Sequence, residues 1–305
     1  MVPASGHRRR GGGVSIGPTV RRRRLGSELR RLREAHSFKL EDAADRLGLA
    51  ASTLSRIETG KAPTRTAYLM TMFDMYGVVD PAQRQALTDM ARDGHRKGWW
   101  AVYDDVMPTG YDICVGLEAE AAALRVFEDQ VVHGLLQTED YARVVMSAVR
   151  TRQSARQIER AVQLRVQRQE ALTRDDPLKL WLILNEAVIL RAVGGTEVMH
   201  GQLMRLLEAS EWPSVTLQVL PLSSGAHPAL NGPFCILEFP ERTDPDVVYT
   251  EGVAGHAYLE RDSDVRACAE AFDLLRAAAL SPADSADLIS RTAREIAHKG
   301  GKQHD

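Results

Sequence analysis

The segment from Leu40 to Lys61 constrains the fold of this chain more than any other. Leu40, Ala43, Ala44 and Leu47 recur at helical spacing and stop at Gly48, and Leu54 with Ile57 mark a second short helix that stops at Gly60. Two short helices joined by the Gly48-Leu49-Ala50 turn have the spacing of a helix-turn-helix, whose second helix enters the DNA major groove. Ala44 is small, as a close helix crossing requires, and Gly48 permits the tight turn. With Leu54 and Ile57 facing inward, Ala51, Ser52, Ser55 and Arg56 point outward.

The neighbouring sequence completes a bundle. Leu25, Leu29 and Leu32 predict a helix ending near His36; Pro63-Thr64 opens another through Leu69, Met72, Phe73 and Tyr76; and Pro81 opens a fifth through Leu87, Met90 and Ala91. Residues 19–94 therefore read as an all-α helix-turn-helix bundle of about five helices. Residues 1–18, rich in Gly, Pro, Ser and Arg, read as a flexible basic arm. Past a polar joint at Gly94–Gly98, residues 99–298 read as a mainly helical α+β domain with a small sheet. Helices are expected over 116–130, 139–149, 154–172, 197–208, 263–280 and 282–297, and strands over 178–184, 215–220, 234–239 and 247–249. Residues 299–305 are expected to be a disordered tail.

Charge divides along the same line. Residues 1–98 hold 19 Lys+Arg against 10 Asp+Glu, net +9, whereas the remainder holds 20 against 31, net −11. A polyanion is the expected partner of the first part and not of the second. The 305 residues give two domains enough mass for separate cores, and a composition of 44% hydrophobic and 26% charged residues is that of a globular protein. Cys114, Cys235 and Cys268 are far apart with no CxxC pair, so a reducing cytoplasm is expected. The longest uncharged stretch, Trp212 to Leu237, is broken by four prolines and is not a membrane span. No apolar segment follows the arginine clusters as a secretion signal would require.

No chemistry of catalysis emerges. The nine histidines fall in no compact ligand spacing, and GxGxxG, GxxxxGK[ST] and GxSxG are absent. Asn185-Glu186 follows an apolar strand, and Glu238, Glu251 and Glu260 end or follow others; such scattered carboxylates are expected to be solvated strand ends. We therefore expect no metal, no cofactor and no enzymatic activity. Seven arginines between Arg150 and Arg174 face two acids, and a solvated helix face is favoured over a second DNA contact or a partner surface.

The run Ser52-Thr53-Leu54-Ser55-Arg56-Ile57-Glu58-Thr59-Gly60-Lys61 resembles phage repressor and Cro-type regulators, the xenobiotic-response-element family, over about residues 25–92. That resemblance implies that Arg33 pairs with Glu58, that Arg56 reaches base edges, and that Thr53 and Lys61 hold phosphates. Leu40 and Ala51 stand where many members carry glutamine, so recognition falls more heavily on Ser52, Ser55 and Arg56. Ala50 also lacks a capping hydroxyl. The expected DNA-facing set is Arg21, Arg22, Arg23, Arg24, Lys39, Ala51, Ser52, Thr53, Ser55, Arg56, Lys61 and Thr64. Arg21–Arg24 are read either as a solvated charge run or as an arm touching phosphates and the minor groove.

Thr19 to Leu25, Gly134-Leu135-Leu136-Gln137-Thr138-Glu139-Asp140-Tyr141-Ala142, Leu184-Asn185-Glu186-Ala187 and Val248-Tyr249-Thr250-Glu251 extend the resemblance. They are similar to a large group of actinobacterial regulators in which the helix-turn-helix precedes a domain of unknown biochemical function. His133 stands where many of these have proline. The resemblance implies an antitoxin-like transcriptional regulator with a small partner protein encoded nearby, and the motif implies a homodimer on double-stranded DNA. Two other readings stay open: an enzyme targeted by the helix-turn-helix, and a protein-interaction module with residual DNA affinity.

Overall fold

A computed structural model describes residues 18–94, 98–240 and 245–301, and the basic arm expected over 1–18 lies almost wholly outside the described residues. The chain divides into two compact units, Met1–Arg96 and Lys97–Asp305.

Among the described residues, five helices build the first unit: α1 (Pro18–Ala35), α2 (Leu40–Arg46), α3 (Ala51–Glu58), α4 (Thr66–Met75) and α5 (Pro81–Gly94). Leu25, Leu29, Ala43, Ala44, Leu54, Ile57, Leu69, Met72, Phe73 and Tyr76 form one buried core, and each fully buried large aliphatic side chain contributes about 1.5–3 kcal/mol. Helix α1 starts earlier than its apolar spacing suggests. Pro18 occupies the first helical position, where a missing N–H costs nothing, and no breaker follows, so Arg21–Arg24 are helical and not an extended arm.

The second unit has a six-stranded sheet in the order β3-β2-β1-β4-β5-β6, from β1 (Ala123–Glu128), β2 (Lys179–Asn185), β3 (Val215–Leu220), β4 (Phe234–Glu238), β5 (Val247–Gly252) and β6 (Gly255–Leu259). Strands β1, β2 and β3 run parallel, whereas β4, β5 and β6 continue antiparallel from β1. Seven helices accompany it: α6 (Tyr111–Glu120), α7 (Glu139–Val149), α8 (Ala155–Arg168), α9 (Glu186–Leu190), α10 (Gly195–Ser210), α11 (Asp262–Ala278) and α12 (Pro282–Gly301). On one face Phe127, Ile183, Ile236 and Val248 pack against Phe272 and Leu275 of α11.

Three local expectations are corrected. The helix expected over 116–130 stops at Glu120, and β1 follows; Leu124, Val126 and Phe127 are all buried, and a strand covered on both faces loses the alternation that would betray it. Strand β6, five residues long, is too short to give a pattern of its own and, among the described residues, pairs only with β5. Helix α12 continues past Ala297 to Gly301, because nothing before the Gly300-Gly301 pair interrupts it, and 302–305 lie outside the described residues.

Candidate nucleic-acid interface

The α2–α3 turn is closed by backbone bonds. Gly48, at φ +65°, donates to the Asp45 carbonyl (3.1 Å) and Leu49 to the Ala44 carbonyl (2.9 Å), a Schellman ending that requires the left-handed residue glycine supplies. Helix α3 then starts without a side-chain cap at Ala50, and α2 without one at Lys39, so their first-turn N–H groups stay open to water or to a phosphate oxygen.

Helix α3 is held from behind at two places. Arg33 of α1 donates through Nε and Nη2 to the two Glu58 carboxylate oxygens (2.7 and 2.9 Å) and through Nη1 to the Phe38 carbonyl (2.7 Å). Both side chains are buried, and the Glu58 hydrogen bonds raise the Arg33 pKa further. The second place is a backbone contact. A Cβ on Gly26 would lie 2.5 Å from the carbonyl oxygens of Ile57 and Glu58, so only glycine lets α1 approach the end of α3 this closely. Gly60, at φ +68°, meets the Arg23 backbone in the same manner.

The outward face of α3 divides the expected DNA-facing set. Ser52, Thr53 and Arg56 are exposed along it, Ser55 is half-buried, and Lys39 and Lys61 are exposed on its flanks. Ala51 is partly packed against the core and offers only part of its methyl group. Thr64 leaves the set: at 3% exposure it is buried and presents no hydroxyl to the surface. Arg65, which follows it at the N-cap of α4, is exposed instead. Arg23 leaves as well, being 7% exposed where it packs over Gly60, while Arg22 and Arg24 are half-buried on the same helix. The Arg21 side chain lies outside the described residues. Glu58, the only acid of α3, is buried and matched by Arg33, so the exposed charge of the helix is the Arg56 guanidinium. Such a face can offer a bidentate donor and hydroxyls to base edges, with ammonium groups beside it for phosphates.

In the second unit the family-like motifs turn out to be joints. Gln137 donates to the Val132 carbonyl (2.6 Å) and accepts from Arg165 (2.6 Å). Gln169 donates to the Gly134 and Gln137 carbonyls (3.2 and 2.7 Å), and Gln202 bonds the Leu136 carbonyl and the Thr138 N–H (2.8 Å each). Thr138 caps α7. Asn185 caps α9 through Ala187 (3.0 Å), and Glu186 accepts from the Leu222 N–H (2.7 Å), so both are engaged structurally rather than presented as an acid/base pair. The arginine-rich helix is also corrected. Arg168 is buried, pairing bidentately with Glu118 (2.7 Å twice) and donating to the Tyr111 hydroxyl; it lies two turns beyond buried Ala161, on the covered face of α8. Among the described residues no group of His, Cys, Asp and Glu is arranged to hold a metal ion, and no helix is long and apolar enough to cross a membrane.

Comparison with protein families matches residues 112–291 to the Domain of unknown function (DUF5753), more than half of the chain. The chain belongs to the DUF5753 family. Ahead of that domain, residues 24–87 match the Helix-turn-helix domain family, so this DUF5753 chain carries a DNA-binding module of the regulator type. Neither a curated protein nor a solved structure matches the chain.

Proposed function

We propose that this DUF5753 chain is a sequence-specific transcriptional regulator that docks α3 in the major groove as a homodimer on two half-sites. The observation that carries the reading is the exposed Ser52, Thr53 and Arg56 face of a helix pinned from behind by Arg33–Glu58 and Gly26. In this reading Arg56 contacts a guanine edge and Ser52 and Ser55 its neighbours, while Lys39, Thr53, Lys61 and Arg65 hold phosphates. The second domain carries out no catalysis; it responds to an effector or a small partner protein encoded nearby, as the resemblance to antitoxin-like cytoplasmic regulators implies. Its motif residues support this, since they position loops rather than assemble an acid, a base and a nucleophile.

Fluorescence anisotropy on duplexes from DNA upstream of the chain's own gene, against scrambled duplexes near physiological salt, tests it. The expected preference is about a thousandfold or more. Arg56→Ala is expected to lose roughly 1–3 kcal/mol on the preferred duplex and nothing on the scrambled one. Equal binding to both duplexes overturns the reading, and sedimentation of the protein–DNA complex as one chain per duplex overturns the dimer.

A further inference from the structure

At the carboxyl end of β1 the second unit gathers charged and aromatic side chains that its core does not require. Register places them on one face. Val126, Cys235, Tyr249 and Tyr258 are successive cross-strand neighbours, and side chains alternate along strands. Glu128, Glu251 and His256, each two positions nearer that end, therefore point the same way. The rings of Tyr249, His256 and Tyr258 cluster in tilted and edge-to-face contacts with centroids 5.4–5.7 Å apart, forming a shelf. Helix α6 leans over it, with the Tyr258 hydroxyl donating to the Gly110 carbonyl (2.9 Å), and α8 brings Arg165 and Arg168 beside Tyr111.

An arginine and a carboxyl group meet at this shelf without pairing. Arg165 donates through Nη1 to Gln137 (2.6 Å) and its Nε has no partner. The Glu128 carboxylate makes no hydrogen bond or ion pair among the described residues. Arg165 opposes the upward shift of the Glu128 pKa, so the two groups sense each other, yet they stop short of ion-pair distance. Both side chains keep partial exposure while burial dominates the shift of each. Both side chains stand where the parallel half of the sheet changes to antiparallel, next to the carboxyl ends of the parallel strands, the place where such sheets hold ligands.

We propose that this site binds a small zwitterion of the amino-acid class, its carboxylate on Arg165 and the Tyr111 hydroxyl, its ammonium on Glu128 and Glu251, and its apolar body on the Tyr249–His256–Tyr258 shelf. Tyr111 accepts from Arg168, which leaves its own proton for the ligand carboxylate. Glu251 accepts from the Tyr249 hydroxyl (3.1 Å), so its charge is oriented along the shelf. The assignment deepens the effector reading above and rests on it. It also has a proton signature. Burial, aided by Asp129 and Glu251 and opposed by Arg165, pushes the Glu128 carboxyl up to about 8, and His133 is held neutral by burial and by Arg168 and Arg165. An ammonium beside Glu128 favours the carboxylate, so binding at pH 7 releases a proton and affinity rises toward pH 8.

Isothermal titration of the full chain with L-phenylalanine, 3-phenylpropionate and phenethylamine, at pH 7 in two buffers of different ionisation enthalpy, decides it. L-Phenylalanine is expected to bind about tenfold or more tighter than either singly charged analogue and to release close to one proton. Glu128→Gln is expected to abolish that release and Arg165→Met to abolish tight binding; the wild-type comparison stands whether or not the variants fold. No saturable heat with L-phenylalanine up to about 10 mM, or equal binding of an analogue lacking one charge, overturns the proposal. Anisotropy on the same preparations separates the two readings: sequence preference without ligand heat removes only the zwitterion, and ligand heat without DNA preference removes only the regulator.

Discussion

Arg33–Glu58 in the first unit and Arg168–Glu118 in the second are both buried, bidentate pairs with N···O distances of 2.7–2.9 Å. Their surroundings differ. Arg33 gives a further donor to the Phe38 carbonyl, reaches the exposed Glu34 carboxylate at 3.4 Å and stands beside Tyr76, so its pair acts as a staple between α1 and α3. Arg168 gives its remaining donor to Tyr111, a half-exposed side chain, and stands among Arg165, His133 and Cys114, whose thiol burial pushes up to about 12. The first pair ties two helices together through a backbone carbonyl and one surface carboxylate; the second hands a bond onward to Tyr111, whose hydroxyl faces the proposed ligand site.

The comparison breaks first at the charges. Glu58→Ala and Glu118→Ala each leave an arginine buried without its partner, and each is expected to cost its own unit about 3–5 kcal/mol. Hydrogen exchange in the intact chain reads the units separately. Equal loss of protection in both units from either substitution would mean that the pairs are not local devices. Replacing both partners sharpens the contrast. Arg33→Met with Glu58→Leu is expected to cost about 1 kcal/mol or less, since a well-packed apolar pair replaces a desolvated one and the Phe38 carbonyl loses one donor. Arg168→Met with Glu118→Leu is expected to cost about 1–3 kcal/mol, because Tyr111 loses its donor. Matching costs would erase the distinction between the two pairs.

How far each region was legible follows from the same contrast. The first unit was readable because its apolar residues keep helical phase: Leu25, Leu29, Leu54, Ile57, Leu69, Met72 and Phe73 all enter one core. The interface was readable where exposure follows from that phase, as for Ser52 and Arg56, and failed at Arg23 and Thr64, whose burial depends on close approaches to other parts of the bundle. In the second unit the sheet is assembled from distant segments. Glu128 and Tyr249 share a face only through the register of β1, β4 and β5, which no local pattern encodes. Arg168 looked like one more solvated arginine because its partner Glu118 lies fifty residues away.

The next effect is steric. Gly26→Ala places a methyl group 2.5 Å from two backbone carbonyl oxygens that cannot rotate aside, so α1 and α3 must separate. Overpacking of this kind costs about 1–3 kcal/mol. Exchange protection is expected to fall in the first unit only, with a parallel loss of DNA affinity, since α3 is the element displaced. A Gly26→Ala chain with wild-type protection would show that the Arg33–Glu58 pair alone positions the recognition helix.

Tyr76 supplies the smallest and most local test of the staple. Its hydroxyl is buried beside the pair, with no hydrogen-bond partner among the described residues, and burial together with the Glu58 charge pushes its pKa up to about 12. An unfolded tyrosine loses its proton near 10. Between these values the folded chain holds a proton that the unfolded chain has released, so the first unit loses stability as pH rises from about 10 to 12, by about 1.4 kcal/mol per pH unit. Tyr76→Phe removes the titrating group and a buried hydroxyl that satisfies no partner. It is therefore expected to equal or exceed the wild type at neutral pH and to lose this alkaline slope. The difference between wild-type and Tyr76→Phe exchange protection, measured at pH 9 and again at pH 11, isolates this proton from those of the other tyrosines and lysines. A pH-independent difference would mean that the phenol has solvent beside it, and that the wall around Arg33–Glu58 is as open as the one around Arg168–Glu118.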